Sequence, residues 1–454
     1  MDQIISVNDD VLNMIYMMEK IDLNKMSKDI ILEFMTQKNI YNNEFVMKHL
    51  YKESVFNYIS ECETGVIIYN TLYNSLVRLE DDEYQIYKSC IVNKNNISLE
   101  LIKNGIWVDE TINEYRNYML YCKFFSLYVS RPINLTITTT LKCNARCAYC
   151  YEKGVEKADI IEGAEQNIVD IIKKFSDKDE VEIVWFGGEP LMNTDFIDKL
   201  CFNLRKENIR YNSFIITNGS LITDEMVEDK FDEWKIKSVQ ITLDGTYGKY
   251  ETIKNYKDKT IGGFYNILSN IVKLAKKGIC VSIRLNIDKD NMDDIIKLTE
   301  ELGRIFSSYD NVNFYPAFLT GTSSPLSESE KYECVRLMYE CIVDKSKLST
   351  HNKLYSLPRM VACMNEDPKS FTVDVTGHIY TCEHDVGKPC KSIGNIMNEE
   401  KIVDMRGLNI HHRDECKKCV FLPKCFGGCN SNYLNGDEPC MIEKYLIKGY
   451  IDLL

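Results

Sequence analysis

The sequence predicts an α/β protein built around a partial, TIM-like (β/α)6 barrel. A small α+β module precedes the barrel, and a cysteine-rich domain follows it. From about residue 133 to residue 315, strand-like and helix-like segments alternate. Repeated βα units of this kind form a parallel sheet with right-handed crossovers. Six such units fit an incomplete barrel better than the eight of a closed one.

Length and composition predict more than one domain. A chain of 454 residues exceeds the size of a single core, and its apolar content of 44% supports packed interiors. Changes in composition and periodicity along the chain predict five parts. They are a helical segment (1–53), a small α+β module with a linker helix (54–130), the barrel (131–315), a bridging helical region (316–360) and the cysteine-rich domain (361–454).

The small module is predicted from three strand-like runs followed by two helix starts. The strands are Phe56–Ser60, Gly65–Asn70 and Leu76–Leu79, and helices begin near Asp81 and Ser98. A meander of three strands leaves a sheet edge that can capture an extended peptide by strand addition. A plain docking subdomain is the alternative interpretation.

The barrel strands are predicted wherever short apolar runs precede turn residues. Helical stretches, such as 162–175 and 264–276, lie between them. Active groups of such barrels belong at the carboxyl ends of the strands, and a cysteine-rich run follows the first strand directly. The six predicted strands are Asn134–Thr139, Glu182–Phe186, Ser213–Thr217, Ser238–Leu243, Cys280–Ile287 and Val312–Phe314.

Charge and hydropathy exclude several classes of protein. A net charge of −13 and a pI near 5.2 argue against nucleic acid as a partner. No run of 18 apolar residues and no basic start followed by an apolar core occurs, so we expect no membrane span and no signal peptide. The expected location is the cytoplasm. Eighteen cysteines there indicate metal or redox chemistry, because disulfides do not persist.

Three of these cysteines, Cys143, Cys147 and Cys150, lie on one short loop after the first barrel strand. Three thiolates can hold three irons of a [4Fe–4S] cube and leave the fourth iron open to a substrate or cosubstrate. A structural zinc site is the main alternative, but it normally needs four ligands in paired spacings. The triad therefore indicates a reactive centre.

The CxxxCxxC pattern, with Tyr149 just before its last cysteine, resembles the signature of radical S-adenosylmethionine (SAM) enzymes. There SAM chelates the open iron, so the resemblance implies SAM and a [4Fe–4S] cluster as cofactors. It covers roughly residues 133–315. Further residues at the ends of the later strands match positions that contact SAM in that family, and they are Gly187, Gly188, Glu189, Asn218, Asp244, Arg284 and Asn286.

The segment after Asp244 departs from the family pattern. Relatives often carry a His-Asp pair and an arginine, whereas this chain has Tyr250, Glu251 and Lys254. No role of that pair is transferred to this sequence.

A second cysteine constellation lies near the C-terminus and is similar to the seven-cysteine SPASM domain. That resemblance implies two auxiliary [4Fe–4S] clusters, and hence three clusters in all. One cluster would take four ligands, Cys416, Cys419, Cys425 and Cys440. The other, nearer the active site, would take only three, Cys363, Cys382 and Cys429. Cys390 could complete it, but we favour an open iron that binds a substrate thiolate.

This arrangement resembles maturases of ribosomally made peptides. We expect a radical SAM oxidoreductase that forms thioether links between cysteine sulfur and carbon in a Cys-rich precursor peptide, whose leader binds the small module. The expected electron donor is a flavodoxin- or ferredoxin-like protein. Alternatives are a maturase that forms carbon–carbon crosslinks and an anaerobic sulfatase-maturing enzyme that makes formylglycine. A non-catalytic Fe–S or zinc interaction protein would require the first triad to be inert.

Overall fold

The computed structural model describes residues 50–93, 98–119, 122, 132–150, 152–175, 180–258, 260–320, 322–348, 358–359, 363–398 and 413–454. The predicted helices of residues 1–49 lie outside these ranges. The last residues of the predicted helical segment, Tyr51–Glu53, instead form a strand, β1, because they pair antiparallel with a later strand, β5 (Trp107–Asp109).

The small module has the predicted three-stranded meander. Strands β2 (Asn57–Cys62), β3 (Gly65–Asn70) and β4 (Ser75–Glu80) pair antiparallel in that order. Helix α1 (Asp81–Asn93) follows at once, and helix α2 (Leu99–Lys103) begins where predicted. The meander is a sheet of its own, with no further strand beside β2 or β4 among the described residues.

Two local interactions fix the ends of α2. The Ser98 side chain caps the helix by accepting a hydrogen bond from the backbone N–H of Glu100. Gly105 follows with a φ of +69°, and a Cβ there would lie 1.9 Å from the ring of Tyr73. Only glycine fits this turn, which returns the chain to β5.

The six predicted barrel strands are all present and run parallel, with neighbours in the order β11-β10-β9-β8-β7-β6. Their central residues are apolar and buried, as a sheet covered by helices requires. The strands are β6 (Ile133–Thr140), β7 (Val181–Gly187), β8 (Tyr211–Thr217), β9 (Ile236–Leu243), β10 (Cys280–Ile287) and β11 (Val312–Phe318).

Crossover helices cover the outside of this sheet. Helix α6 presents Ile267, Ile271 and Leu274 to the core, at the spacing of one helical face. The crossover helices are α3 (Ala164–Phe175), α4 (Thr194–Lys206), α5 (Tyr247–Lys254), α6 (Phe264–Lys276) and α7 (Met292–Ile305).

The sheet extends beyond the barrel into the cysteine-rich part of the chain. Strand β12 (Ser370–Val373) pairs parallel with β6, and β13 (His378–Tyr380) and β14 (Gly394–Asn395) continue the sheet antiparallel. This extension was not predicted, because strands of two to four residues have no readable alternation. The barrel and the cysteine-rich part therefore share one nine-stranded sheet.

Helices complete the C-terminal part. Helix α8 (Glu328–Glu340) packs against the last helix, α12 (Ile442–Ile451), where a Cβ at Gly449 would lie 3.0 Å from Val335. Three short helices lie between them, α9 (Asp414–Lys417), α10 (Leu422–Cys425) and α11 (Asn430–Leu434). Within the described residues, no helix is long and apolar enough to cross a membrane.

Candidate active site

The first cysteine triad lies on the loop that leaves the carboxyl end of β6, as predicted. Gly188 and Glu189, which follow β7, hold this loop from one side. The backbone N–H of Gly188 donates to the carbonyl of Thr140 (2.9 Å), and that of Glu189 donates to the carbonyl of Lys142 (2.9 Å). A Cβ at Gly188 would lie 2.4 Å from the Lys142 oxygen, so the close approach requires glycine.

Helix α5 and the residues after it hold the same loop from the other side. The N–H of Arg146 donates to the carbonyl of Lys254, and the N–H of Lys257 donates to the carbonyl of Asn144, both at 2.9 Å. The cysteine loop is therefore hydrogen-bonded to two parts of the barrel rim.

The three thiols are half-buried. Burial raises the pKa of Cys143 to about 11, partly offset by the N–H of Ala145, which donates to its sulfur (3.4 Å). The loop fits an iron–sulfur cluster, since three soft sulfur ligands occur together. Among the described residues, no group of three His, Cys, Asp or Glu side chains could hold a single metal ion. Sulfurs that ligate separate irons of a cube do not need to converge in that way.

Glu189 is fully buried behind the loop, and both of its carboxylate oxygens accept hydrogen bonds. One accepts from the Thr217 hydroxyl (2.8 Å) and the N–H of Leu191 (3.1 Å), and the other accepts from the N–H of Asn218 (2.8 Å). Burial raises the pKa of this carboxyl, and the three donors oppose the rise. Glu189 thus ties the end of β7 to the end of β8 and keeps one oxygen with spare acceptor capacity.

Asn218 connects this network to the cysteine loop. Its side-chain amide donates to Asn144 Oδ1 (2.8 Å) and lies 3.9 Å from Cys143 Sγ, while its Oδ1 accepts from the N–H of Ser220 (2.9 Å). The structure therefore brings two predicted site residues, Glu189 and Asn218, to the first cysteine of the triad.

The third predicted contact residue, Asp244, forms a buried group that the sequence did not predict. Its Oδ2 lies 3.1 Å from Lys254 Nζ, and its Oδ1 accepts from the Tyr149 hydroxyl (2.8 Å). Lys254 also donates to the Tyr149 hydroxyl (3.2 Å). The side chains of Lys254 and Asp244 are 3% and 0% exposed.

Charge explains this buried lysine. Burial alone would lower the pKa of Lys254, but the nearby Asp244 carboxylate and the Tyr149 phenol raise it well above its usual value. The ammonium therefore stays charged and neutralises Asp244. Lys254 was noted only as a departure from a family pattern. No local signal in the sequence identifies the pair, because a lysine at the end of a helix normally lies in solvent.

Arg284 and Asn286 are two residues apart on β10, so they lie on one face of the sheet. Arg284 Nε donates to Asn286 Oδ1 (2.9 Å), so the two side chains pair with each other. Arg284 stands opposite Tyr315 of β11, whose hydroxyl donates to Gln240 Oε1 (2.7 Å). These half-buried groups form a polar wall on β9–β11.

Cysteines of the second constellation lie near one another in two places. In one group, Cys363 lies close enough to Cys429 for that thiol to raise its pKa, and it acts in the same way on Cys382. Cys390 is exposed. The pKa of Lys391 is raised, mainly by its hydrogen bond to Asp385 and also by Cys382 and Cys390, so both cysteines lie near this lysine.

In the other group, Cys425 lies near Cys419 and Cys440. The N–H of Cys419 donates to the carbonyl of Cys416 (3.0 Å), which places the fourth cysteine on the same turn. The division of the seven cysteines into sets of four and three ligands stays a prediction.

The segments that follow Cys150 and Cys382 pack against each other. Val155 and Ala158 contact a small apolar cluster that includes Tyr380 and Val386. Glu383, next to Cys382, acts electrostatically on Tyr315 of the polar wall. The three-cysteine group thus neighbours both the first triad's loop and the barrel interior.

The small module docks on the C-terminal part through Asp452. One oxygen of Asp452 accepts from Tyr58 and Ser60 and the other from Tyr332 of α8, each at 2.6 Å. The Thr71 hydroxyl also donates to a carbonyl of the segment between Cys419 and Leu422. One carboxylate therefore joins the module, α8 and the end of the chain.

Comparison with known proteins gives this geometry a context. Residues 137–302 match the Radical SAM superfamily model. The chain is 24% identical over 331 residues to the cysteine-type anaerobic sulfatase-maturating enzyme of Clostridium novyi, over 64% of this chain and 85% of that protein. It is 26% identical over 170 residues to the sporulation killing factor maturation protein SkfB of Bacillus subtilis, over 37% of this chain and 39% of that protein.

Coverage differs widely among the relatives. The chain spans about half (49%) of the Fe-coproporphyrin III synthase of Methanosarcina barkeri, at 29% identity over 212 residues and 44% of this chain. A solved structure of anSMEcpe with bound AdoMet and the Cp18Cys peptide has a TM-score of 0.53 at 18% identity, over 71% of this chain and 95% of that one. This likeness confirms the predicted fold.

Proposed function

We propose, from the radical SAM domain formed by residues 137–302, that this protein matures a ribosomally made, Cys-rich peptide by forming thioether links. Each link would join a cysteine sulfur of the peptide to a carbon of another residue in the same peptide. The bond replaces one S–H and one C–H, so the peptide loses two hydrogen atoms for each link. One would pass to the carbon radical that SAM supplies, and the other would leave as a proton and an electron that an iron–sulfur cluster accepts.

Some residues of the first site would ligate the cluster, and others position the loop that carries the ligands. A radical SAM cluster with bound SAM supplies a carbon radical that abstracts hydrogen from an unactivated C–H. Cys143, Cys147 and Cys150 would hold this cluster. Glu189 and Asn218 fix the loop from behind, and the spare acceptor capacity of Glu189 suits an ammonium group. The buried pair of Asp244 and Lys254 holds Tyr149 within the same loop.

The incomplete cysteine group carries the thioether proposal. Cys363, Cys382 and Cys429 offer three thiolates beside the barrel interior, while Cys390 is exposed. An iron left open here would bind a fourth thiolate, and a substrate cysteine is the natural donor. This would hold the sulfur that captures the carbon radical. A Cys390→Ala variant that loses about four irons would show instead that Cys390 completes the cluster.

The small module supports a peptide as the substrate. Its meander leaves β2 and β4 without a further strand among the described residues, so either edge offers free backbone groups to an extended leader. The module is anchored to the C-terminal part by Asp452, so a bound leader would be held at a fixed place relative to the cysteine groups.

The relatives named as maturases support a peptide-modifying function but favour no single bond type. Formylglycine formation is the second candidate, because the Clostridium novyi sulfatase-maturating enzyme aligns with 64% of this chain. Carbon–carbon crosslinking is a nearer variant of the same chemistry. The products differ, since a thioether keeps the sulfur whereas formylglycine formation replaces it with oxygen.

Coexpression with a Cys-rich peptide encoded beside this protein tests the proposal. Mass spectrometry should show a loss of two hydrogens per link, and fragmentation should place sulfur on a carbon of the partner residue. A Cys143→Ala protein is the control and should leave the peptide unmodified. Loss of sulfur would favour formylglycine formation, and links that leave every thiol free to alkylation would favour carbon–carbon bonds.

Metal content separates these enzymes from an inert protein. The anaerobically reconstituted protein should hold about twelve irons, from three cubes, and should cleave SAM when reduced. Bound zinc without SAM cleavage would overturn the proposed function.

A further inference from the structure

We propose that the outer face of the first cysteine loop, with Arg146, Lys153 and Lys257, is the docking surface for a small acidic electron-carrier protein. The inference rests on the proposed function, because a radical SAM cluster needs one electron for each SAM cleaved. The carrier is identified by its chemistry, as an acidic protein with a reduced flavin or an iron–sulfur centre. One electron moves from that centre to the cluster site, and no bond is made or broken between the two proteins.

All three basic residues are hydrogen-bonded to backbone carbonyls of the loop that carries the cysteines. The N–H of Lys153 donates to the carbonyl of Cys150 (3.1 Å), and the N–H of Lys257 donates to the carbonyl of Asn144 (2.9 Å). Arg146 Nη1 donates to the carbonyl of Cys143 (2.8 Å). The backbone of both lysines and the Arg146 guanidinium are therefore held at the cysteine loop.

The face is exposed although the thiols are half-buried. Arg146, Ala148, Lys153 and Lys257 are all exposed, and Ala148 lies between the second and third cysteines of the triad. A small side chain at the centre of the face lets a partner approach the loop closely. Electron transfer requires such an approach, because its rate falls steeply with distance.

None of these three cations has an ion-pair partner among the described residues. No carboxylate lies within ion-pair distance of Arg146, Lys153 or Lys257 in the described part of the chain. The neighbouring lysines differ, because Lys142 pairs with Asp159 at 2.6 Å and Lys157 lies 3.9 Å from Glu152.

The overall charge makes a local basic face necessary. The protein carries a net charge of −13, which repels an acidic carrier at long range. A cluster of unpaired cations at the one place where the carrier must dock reverses that field locally and orients the encounter.

Charge reversal with two kinds of reductant tests the surface. The variant Lys153→Glu/Lys257→Glu, with and without Arg146→Glu, is compared with a remote reversal at three exposed lysines, Lys199→Glu/Lys237→Glu/Lys276→Glu. SAM cleavage is measured with reduced flavodoxin, with reduced ferredoxin and with dithionite. The double variant leaves the hydrogen bonds of Arg146 intact and guards against damage to the loop.

The expected result is specific to protein donors. At low salt, cleavage supported by either carrier should fall about tenfold, equivalent to about 1.4 kcal/mol of encounter free energy, and salt should reduce the difference from wild type. In the Lys153→Glu/Lys257→Glu variant, dithionite-driven cleavage, peptide modification and iron content should stay unchanged, and the remote variant should behave as wild type.

Three results would overturn the proposal. They are an equal loss with carriers and dithionite, no loss with either carrier, or a loss of dithionite-driven peptide modification, which would make the face a peptide site. Carrier affinity is measured by titration in parallel and should fall in the same variants. Because that binding needs no catalysis, wild-type protein that fails to cleave SAM with dithionite would refute the proposed function while the docking surface is still tested.

Discussion

Replacing Lys254 with methionine removes the charge that neutralises Asp244 and leaves a carboxylate buried without its partner. Both side chains are essentially inaccessible to solvent, and Nζ and Oδ2 are 3.1 Å apart. Removing one member of a fully buried ion pair costs about 3–5 kcal/mol, because the remaining charge stays desolvated. The Tyr149 hydroxyl also loses a hydrogen-bond donor.

An exposed ion pair provides the matched control. Lys273 Nζ lies 2.7 Å from Asp224 Oδ1, but the two side chains are 37% and 79% exposed. Solvent screens such a pair, so Lys273→Met should cost no more than about 1 kcal/mol. The two substitutions remove the same group from pairs of similar length, and burial is the main difference between them.

Tryptophan fluorescence during anaerobic urea unfolding follows the barrel. Trp185 and Trp234 are buried in the barrel core, and Trp107→Phe in every variant removes the signal of the small module. The expected order of stability is wild type, then Lys273→Met, then Lys254→Met. An Asp244→Leu/Lys254→Met double variant should be more stable than Lys254→Met alone, because no buried charge remains. Equal costs for the two lysine variants, or a double variant as unstable as the sum of its parts, would refute the reasoning.

Three further predictions concern other parts of the site. Gly188→Ala should destabilise the first cluster site and lower its iron content, because the new Cβ would meet the Lys142 carbonyl at 2.4 Å, and circular dichroism checks that the fold is kept. Asp452→Asn should lower the stability of the module interface by about 1–3 kcal/mol, because Tyr58, Ser60 and Tyr332 lose their charged hydrogen-bond acceptor. Faster proteolysis near β2 would show this loss. Cys382→Ala should remove about four irons and abolish peptide modification, while dithionite-driven SAM cleavage persists.

The barrel could be predicted because each of its strands is encoded by a local sequence pattern. Strands such as Cys280–Ile287 alternate apolar with polar residues and end at turn residues, and both their positions and their order along the sheet follow from the alternation of strands with helices. The triad could be located for the same reason, since its loop follows Ile133–Thr140 directly.

The features that sequence reasoning missed depend on contacts between distant segments. Ser370–Val373 is a strand only because the free edge of β6 lies beside it. Lys254 is buried only because Asp244 and Tyr149 meet it, whereas a lysine at the end of a helix normally lies in solvent. No local pattern contains either fact.

The pairing of β12 with β6 has a consequence for the choice of product. The strand that leads to Cys143 is hydrogen-bonded to the strand that follows Cys363, in a ladder that runs from Asn134↔Ser370 to Ile137↔Val373. Strands in such a ladder keep a spacing of about 4.8 Å, so β6 and β12 cannot move apart without breaking the sheet. Under the thioether proposal, this pairing would limit how far the two cysteine sites can separate. The number of residues between the cysteine and its target in the peptide would then decide which pair can be joined.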